Sequence, residues 1–99
     1  MSGFFSMIPD GVNVSAGAEA GISEEMAATT AAGAAALTGV LPMAADADSA
    51  EFAAALNASG TAYLATATEH VGQRAAFSGG QALAAGTTSA VDVINAGLL

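Results

Sequence analysis

The feature that most constrains this chain is a heptad pattern in its second half, which runs from Phe52 to Phe77. Positions recur there at alternating steps of four and three residues, over about seven helical turns. Ala, Gly and Thr fill most of the space between this stripe and a shorter one formed by Leu64 and Val71, so another helix can approach closely. The pattern predicts a long helix that packs on a partner helix through Phe52, Leu56, Ser59, Tyr63, Thr66, His70, Gln73 and Phe77.

The limits of this helix are predicted from the residues that flank it. Asp48 and Glu51 have an Asp-x-x-Glu spacing that resembles a capping box, so the helix is predicted to begin at about Asp48. The Ser-Gly-Gly sequence at 78–80 favours a break directly after the last aromatic residue of the stripe. Residues 79–99 show only weak periodicity, and we expect a partly ordered tail that is dispensable for partner binding.

An earlier helix is predicted from about residue 10 to residue 37. Pro9 suits the first helical turn, and the charge of Asp10 is favourable near a helix N-terminus. Ile22 and Met26 lie four residues apart on one face of this helix. The same face continues through Thr29, Gly33, Ala36 and Leu37.

Residues 38–47 are predicted to connect the two helices. Gly39 is placed to end the first helix, and Pro42 prevents its simple continuation. The apolar residues of this loop are expected to fold back over the hairpin tip; they are Val40, Leu41 and Met43.

Composition sets the fold class. The chain has 25 large apolar residues among 99, and most of its 54% hydrophobic content is alanine. Burial contributes about 25 cal/mol per Å² of apolar surface, so alanine adds little. We therefore predict an all-α chain, an antiparallel two-helix hairpin with helices at about 10–37 and 48–77, which completes a helical bundle with a partner. Residues 1–78 would form the hairpin domain and residues 79–99 the tail.

Charge and composition exclude several classes of partner. The formal net charge is −8, and Arg74 is the only basic side chain. Binding to nucleic acid or to an anionic membrane surface requires several Lys or Arg residues, so neither is expected. The chain has no cysteine, so it can form no disulfide or thiolate metal site. Its N-terminus lacks the basic region of a Sec signal peptide, and no window reaches ~18 consecutive apolar residues, so no transmembrane span is expected.

Catalytic chemistry is not indicated by any motif. His70 lies on the heptad stripe, where a hydrogen bond to another helix explains it better than acid–base catalysis does. Asp46 and Asp48 fit helix capping better than a calcium site, which needs more oxygen ligands. No serine lies in a G-x-S-x-G frame, and the glycines at 79–80 lack the lysine of a phosphate loop. We predict no enzyme, no catalytic residue, no cofactor and no metal.

Two motifs resemble those of the mycobacterial PE proteins, whose N-terminal domain is named for a Pro-Glu pair. The first is Pro9-Asp10, which stands where the family has Pro-Glu. The second is the segment 37–49, LTGVLPMAADADS, which is similar to the family's hairpin loop. The motif positions are Pro9, Asp10, Thr38, Gly39, Pro42, Asp46 and Ser49.

The resemblance implies a helical hairpin that pairs with a PPE-type helical protein. It also implies export by the type VII secretion machinery, without a Sec signal, to the cell exterior or the cell envelope. Family members carry Tyr-x-x-x-Asp/Glu after the second helix as part of their export signal. Here Thr88 and Asp92 occupy those two positions, so the acid is present and the tyrosine is absent. Tyr63 cannot substitute, because residue 67 is alanine.

A second function is also considered for this sequence, that of a self-associating structural or membrane-active helical protein that does not pair with a PPE-type protein. Co-purification with a PPE-type protein favours the first hypothesis, and a homo-oligomer that permeabilises liposomes favours the second. The predicted interface consists of Ile22, Met26, Leu37, Val40, Phe52, Leu56, Tyr63, His70 and Phe77.

Overall fold

Two α-helices joined by one loop make up the part of the chain that the computed structural model describes, residues 5–98. The first helix, α1, is Pro9–Thr38, and the second, α2, is Ala47–Gly97. Residues 5–98 contain no β-strand. The prediction of an all-α, two-helix chain is therefore confirmed.

The first helix begins and ends where its local sequence allows. Pro9 is the first helical residue, and the next turn is closed by a hydrogen bond from the Val12 amide to the Ile8 carbonyl, 3.1 Å long. This position suits proline, whose missing N–H has no helical partner there. At the other end, a Cβ on Gly39 would lie 2.6 Å from the Ala35 carbonyl oxygen. The chain can therefore leave α1 in this conformation only with glycine at this position.

The second helix is capped by Asp46, one of the two aspartates for which the sequence favoured a capping role. Asp46 precedes the first helical residue, and its carboxylate accepts hydrogen bonds from the Ser49 amide, at 2.7 Å, and from the Ser49 hydroxyl, at 3.2 Å. Asp46 is thus the N-cap residue, since its side chain satisfies an amide that has no partner inside the helix. The prediction that Asp48 and Glu51 form the cap was wrong.

The second helix also continues twenty residues beyond its predicted end, from Phe77 to Gly97. The break expected at 78–80 was wrong because tertiary contacts hold this part of the helix. Ser78 is buried, and its hydroxyl donates a 2.7 Å hydrogen bond to the Ala16 carbonyl. Ala85, about two turns further on, is fully buried. Glycine lowers helix stability by only about 1 kcal/mol per residue, and packing against α1 offsets that cost.

The chain divides into two compact units, each of which contains a part of both helices. Residues 24–72 form one, which we call the loop unit, and residues up to Ser23 together with those from Gln73 onward form the other, the terminal unit. Within the loop unit the helices are antiparallel, since Leu37 lies against Gly60 while Ala27, earlier in α1, lines a groove with Val71, later in α2. They are also antiparallel within the terminal unit, where Glu19 pairs with Arg74 and the earlier Ser15 pairs with the later Gln81.

Inside the loop unit, the helices meet along a stripe that we call the inner stripe. In the α2 part of this unit, every residue that is buried or half-buried lies three or four residues from the next one. Such spacing keeps one face of a helix against a neighbour. Its side chains are mostly small, so the helices approach closely. The inner stripe of α2 comprises Ser49, Ala53, Asn57, Gly60, Leu64, Ala67 and Val71.

Contacts between the helices of the terminal unit are largely polar. The Arg74 guanidinium donates to both carboxylate oxygens of Glu19, at 3.0 and 3.3 Å, and about a third of the arginine side chain is exposed. The Gln81 amide donates to the Ser15 hydroxyl at 3.2 Å. The apolar residues buried in this unit are alanines. Hydrogen bonds and small side chains therefore set the register of the two helices here.

Candidate partner-binding surface

Large apolar side chains of the loop unit lie outside the contact between its helices. Phe52 is 62% exposed and Tyr63 is 61% exposed, and Leu56 between them is also exposed. Each of these residues directly precedes a member of the inner stripe, so the set forms a parallel outer stripe on the neighbouring face of α2. Exposed large apolar side chains at regular helical spacing are typical of a surface that binds a protein partner.

Two apolar grooves flank this outer stripe within the loop unit. One has a volume of about 330 Å³ and lies between the loop and the start of α2, with Val40, Leu41 and Phe52 among its walls. The other has a volume of about 360 Å³ and is lined by Leu37 and Ala36 of α1 as well as by Tyr63 of α2. Both helices therefore contribute to this face, which offers grooves that can receive side chains from a partner.

The opposite face of the loop unit has a different character. Its groove, of about 300 Å³, is lined mainly by alanine and threonine. Leu64 and Val71, which the sequence assigned to a second stripe, line this groove and are half-buried at the inner stripe. The large exposed side chains of the loop unit are thus concentrated on one face. The lining of this smaller groove is Ala27, Thr30, Ala31, Ala34, Leu64, Thr68 and Val71.

The loop between the helices is held by one side chain of α2. The Val40 amide donates to the Asn57 side-chain oxygen at 2.8 Å, and the Asn57 side-chain amide donates to the Val40 carbonyl at 3.0 Å. This pair of bonds fixes Val40 against the helix and leaves it half-buried. Leu41 and Met43, in contrast, are 81% and 93% exposed. Both line the groove beside Phe52 at the start of α2, and both add to the exposed apolar surface.

The predicted interface residues divide into two groups. Met26, Leu37 and Val40 are half-buried. The others are exposed, and they are Ile22, Phe52, Leu56, Tyr63, His70 and Phe77. Ile22 and Phe77 belong to the terminal unit and the rest to the loop unit. Their role in binding a partner stays a prediction.

The family-motif residues lie at the helix ends and in the loop. Pro9 and Asp10 open α1, Thr38 closes it, and Gly39 and Pro42 follow in the loop. These residues therefore lie where α1 begins, where it ends and where the loop starts.

Asp46 and Ser49 are the two motif residues that form the N-cap of α2. The hydrogen bond from the Ser49 amide, followed by the one from its hydroxyl, lowers the pKa of Asp46, because both bonds favour the charged carboxylate. The cap is therefore ionised at neutral pH, and it is lost as the pH falls through this lowered value.

The two residues aligned with the export motif lie near the end of α2. Thr88 is half-buried on the side of α2 that faces α1, and Asp92 is exposed one turn further on. A tyrosine at position 88 would have to leave this contact to present its ring. The threonine instead suits a position between two helices.

Residues 5–98 offer few candidates for a metal site or a catalytic site. Among residues 5–98, no three His, Asp or Glu side chains cluster closely enough to hold a metal ion. His70 is exposed. None of the helical stretches that the structure describes is long and apolar enough to cross a membrane.

Several residues with clear roles in the structure were missed from the sequence. Asn57 holds the loop, Gly60 permits the close approach of α1, and Glu19 pairs with Arg74. Asn57 and Gly60 could have been found from their spacing to the shorter stripe, because they precede Leu64 by seven and four residues. They share the face of the shorter stripe that the sequence did show.

Comparison with known proteins gives one match. A family model described as "PE family" matches residues 5–95, which is nearly the whole chain. No curated protein and no solved structure matches significantly.

Proposed function

Because this chain belongs to the PE family, whose model spans residues 5–95, we propose that it is a non-enzymatic subunit that pairs with a PPE-type helical protein. The pair would leave the cell through a type VII secretion system and act outside it or in the cell envelope. The observation that carries this proposal is the placement of the large apolar residues of α2, which lie on the outer stripe rather than between the helices.

Burial energetics support a partner on this stripe. Covering a Phe or Leu side chain stabilises a complex by roughly 1.5–3 kcal/mol, and Phe52, Leu56 and Tyr63 are all available. Their own chain does not cover them, because α1 already packs on the inner stripe. A partner therefore gains this stabilisation without displacing any contact described above.

The spacing of the stripe supports a helical partner. Steps of four and three residues match the side-chain spacing of a helix that lies alongside α2. The grooves next to Phe52 and Tyr63 provide space for side chains from that helix. A partner with apolar residues in a heptad pattern and few acidic residues fits both this surface and the net charge of −8.

Export of the pair would depend mainly on the partner's own signal. Asp92 provides the acid of the family export motif, but Thr88 lacks the large amphipathic ring of tyrosine. We expect Asp92→Ala to lower export only modestly, as measured by comparing culture filtrate with cell lysate. Complete loss of export with the partner still bound would instead assign the signal to this chain.

Co-expression with a PPE-type protein tests the pairing. The two proteins should co-elute in gel filtration as a one-to-one complex. Phe52→Asp should abolish co-elution, since it places a charge in an apolar contact. Ala54→Asp is the matched control, because it introduces the same charge two residues away, at an exposed position on a different face of α2.

The same experiment distinguishes pairing with a PPE-type protein from self-association. Retained co-elution of Phe52→Asp together with loss for Ala54→Asp would show that the partner binds another face. A homo-oligomer that forms in the absence of the partner and dissociates on Phe52→Asp would identify a self-associating protein. Either result would overturn the proposal.

A further inference from the structure

The last turns of α2 extend past the beginning of α1. In the terminal unit, Gln81 contacts Ser15 and Ala85 is the last fully buried residue. Thr88 and Ser89 are half-buried, and every residue from 90 to 98 is exposed. Because α1 begins at Pro9, it covers α2 only as far as about Ser89. The final segment of α2 is helical without a neighbour in its own chain among the described residues.

This uncovered segment carries apolar residues in a definite register. Val91 and Ile94 of α2 and Leu98, which lies in the turn directly after Gly97, follow one another at steps of three and four, and all three are exposed. Val91 and Leu98 lie 14 and 21 residues after Phe77, which is a whole number of heptads. Ile94 likewise lies 42 residues after Phe52. The three residues, which we call the terminal stripe, therefore continue the phase of the outer stripe.

Local preferences do not account for these residues. Valine and isoleucine favour helices less than alanine does, and alanine is abundant elsewhere in this chain. An exposed helix end gains nothing from large apolar side chains unless something covers them. The segment from residue 75 to residue 98 contains a single charged residue, Asp92. What covers the terminal stripe should therefore be apolar rather than basic.

We infer that the terminal stripe binds the same PPE-type partner, through a partner helix that continues past the first residue of α1. This inference rests on the proposed function and extends it, since it gives the partner an apolar face that reaches Val91, Ile94 and Leu98. It replaces the expectation that residues 79–99 are dispensable for partner binding. The shared heptad phase selects this occupant, because α2 is one helix from Ala47 to Gly97 and the terminal stripe keeps the heptad spacing that a helical partner contacts. A second copy is disfavoured by the charge of −8 on each chain. An anionic lipid surface is disfavoured for the same reason.

Adjacent substitutions give a matched test with the full chain and a PPE-type protein with which it co-elutes. Ile94→Asp alters the terminal stripe, whereas Val93→Asp places the same charge on a neighbouring face at an exposed residue of similar shape. Both changes lie in the last turns of α2, so any effect on helix stability is shared. Ile94→Asp should weaken the complex by at least about tenfold, and Val93→Asp should change the affinity by less than about twofold.

Phe52→Asp separates a failure of the inference about the terminal stripe from a failure of the proposed function. Loss of binding with Phe52→Asp but unchanged affinity with Ile94→Asp would overturn this inference and leave the proposed function standing. Equal weakening by Ile94→Asp and Val93→Asp would also overturn it, because the effect would then reflect the helix end and not the stripe. No complex with the wild-type chain, or a homo-oligomer that depends on Ile94, would reject both the inference and the proposed function.

Discussion

At the scale of single residues, the position that most limits the helix contact is Gly60. A Cβ at this position would overlap the carbonyl oxygen of Leu37 and lie 2.6 Å from its carbonyl carbon. The atoms concerned belong to the backbone of α1, so they can move only if the whole helix moves. Gly60 therefore sets the distance between the two helices of the loop unit, and through it the geometry of the grooves beside the outer stripe.

Gly60→Ala should destabilise the loop unit although alanine is the better helix former. We expect a loss of about 1–3 kcal/mol, since the added methyl overpacks a tight contact. Gly72→Ala is the control, because nothing lies within 4 Å of a Cβ there, and it should stabilise the helix by about 0.5–1 kcal/mol. Thermal unfolding followed by circular dichroism measures both. A stabilising Gly60→Ala would contradict the close approach.

Sequence reasoning found the large side chains and missed the small ones at this scale. Phe52 and Tyr63 were identified because aromatic residues at heptad spacing give a strong pattern. Asn57 and Gly60 were overlooked, since a small or polar residue in an alanine-rich helix resembles its surroundings. Their importance depends on what lies opposite, which in both cases is the end of α1 or the loop after it. That information is not local to the sequence.

At the scale of helices, the beginning of each element was predicted more closely than the end of α2. Proline at the start of α1 and the glycine after it are local signals, and both were correct. The Ser-Gly-Gly sequence at 78–80 gave an equally local signal for a break, but the hydrogen bond of Ser78 to α1 overrides it. A side chain that bonds a distant carbonyl cannot be recognised from neighbouring residues alone. The exposed stripe on the last turns was missed for the same reason.

The continuity of α2 leads to a prediction at Gly79. Nothing lies within 4 Å of a Cβ at this position, so Gly79→Ala should stabilise the helix by about 0.5–1 kcal/mol. Gly79→Pro should cost about 3 kcal/mol, because proline removes a helical hydrogen bond and clashes with the preceding turn. The ellipticity at 222 nm and the unfolding midpoint report both changes. If both variants matched the wild type, the chain would be broken at 78–80.

At the scale of the whole molecule, the interior of the chain contains little that stabilises it. Among the described residues, the buried apolar ones are Ala16, Ala53 and Ala85, and no large side chain is fully buried. Since burial energy follows apolar area, contacts within the chain provide only a small part of the stabilisation that a folded domain needs. The large apolar residues are kept on the surface, where a partner can use them.

The isolated chain should consequently unfold with low cooperativity. We expect a broad transition by circular dichroism with a midpoint below about 45 °C, the lower end of the usual mesophilic range. The complex with the PPE-type protein should show a sharper and higher transition, because the partner binds only the folded form. A monomeric chain that melts cooperatively above about 60 °C without a partner would contradict this prediction.

The ion pair between Arg74 and Glu19 has a consequence for how copies of this chain behave toward one another. Arg74 is the only cationic side chain, against nine carboxylates, and it is engaged inside its own molecule. A second copy that approaches therefore meets a surface with no free side-chain cation to attract its acids. The resulting repulsion extends to about 30 Å at 10 mM salt and to about 8 Å at physiological salt. Electrostatics of this kind disperse identical molecules in solution and leave each one available to a partner of different composition.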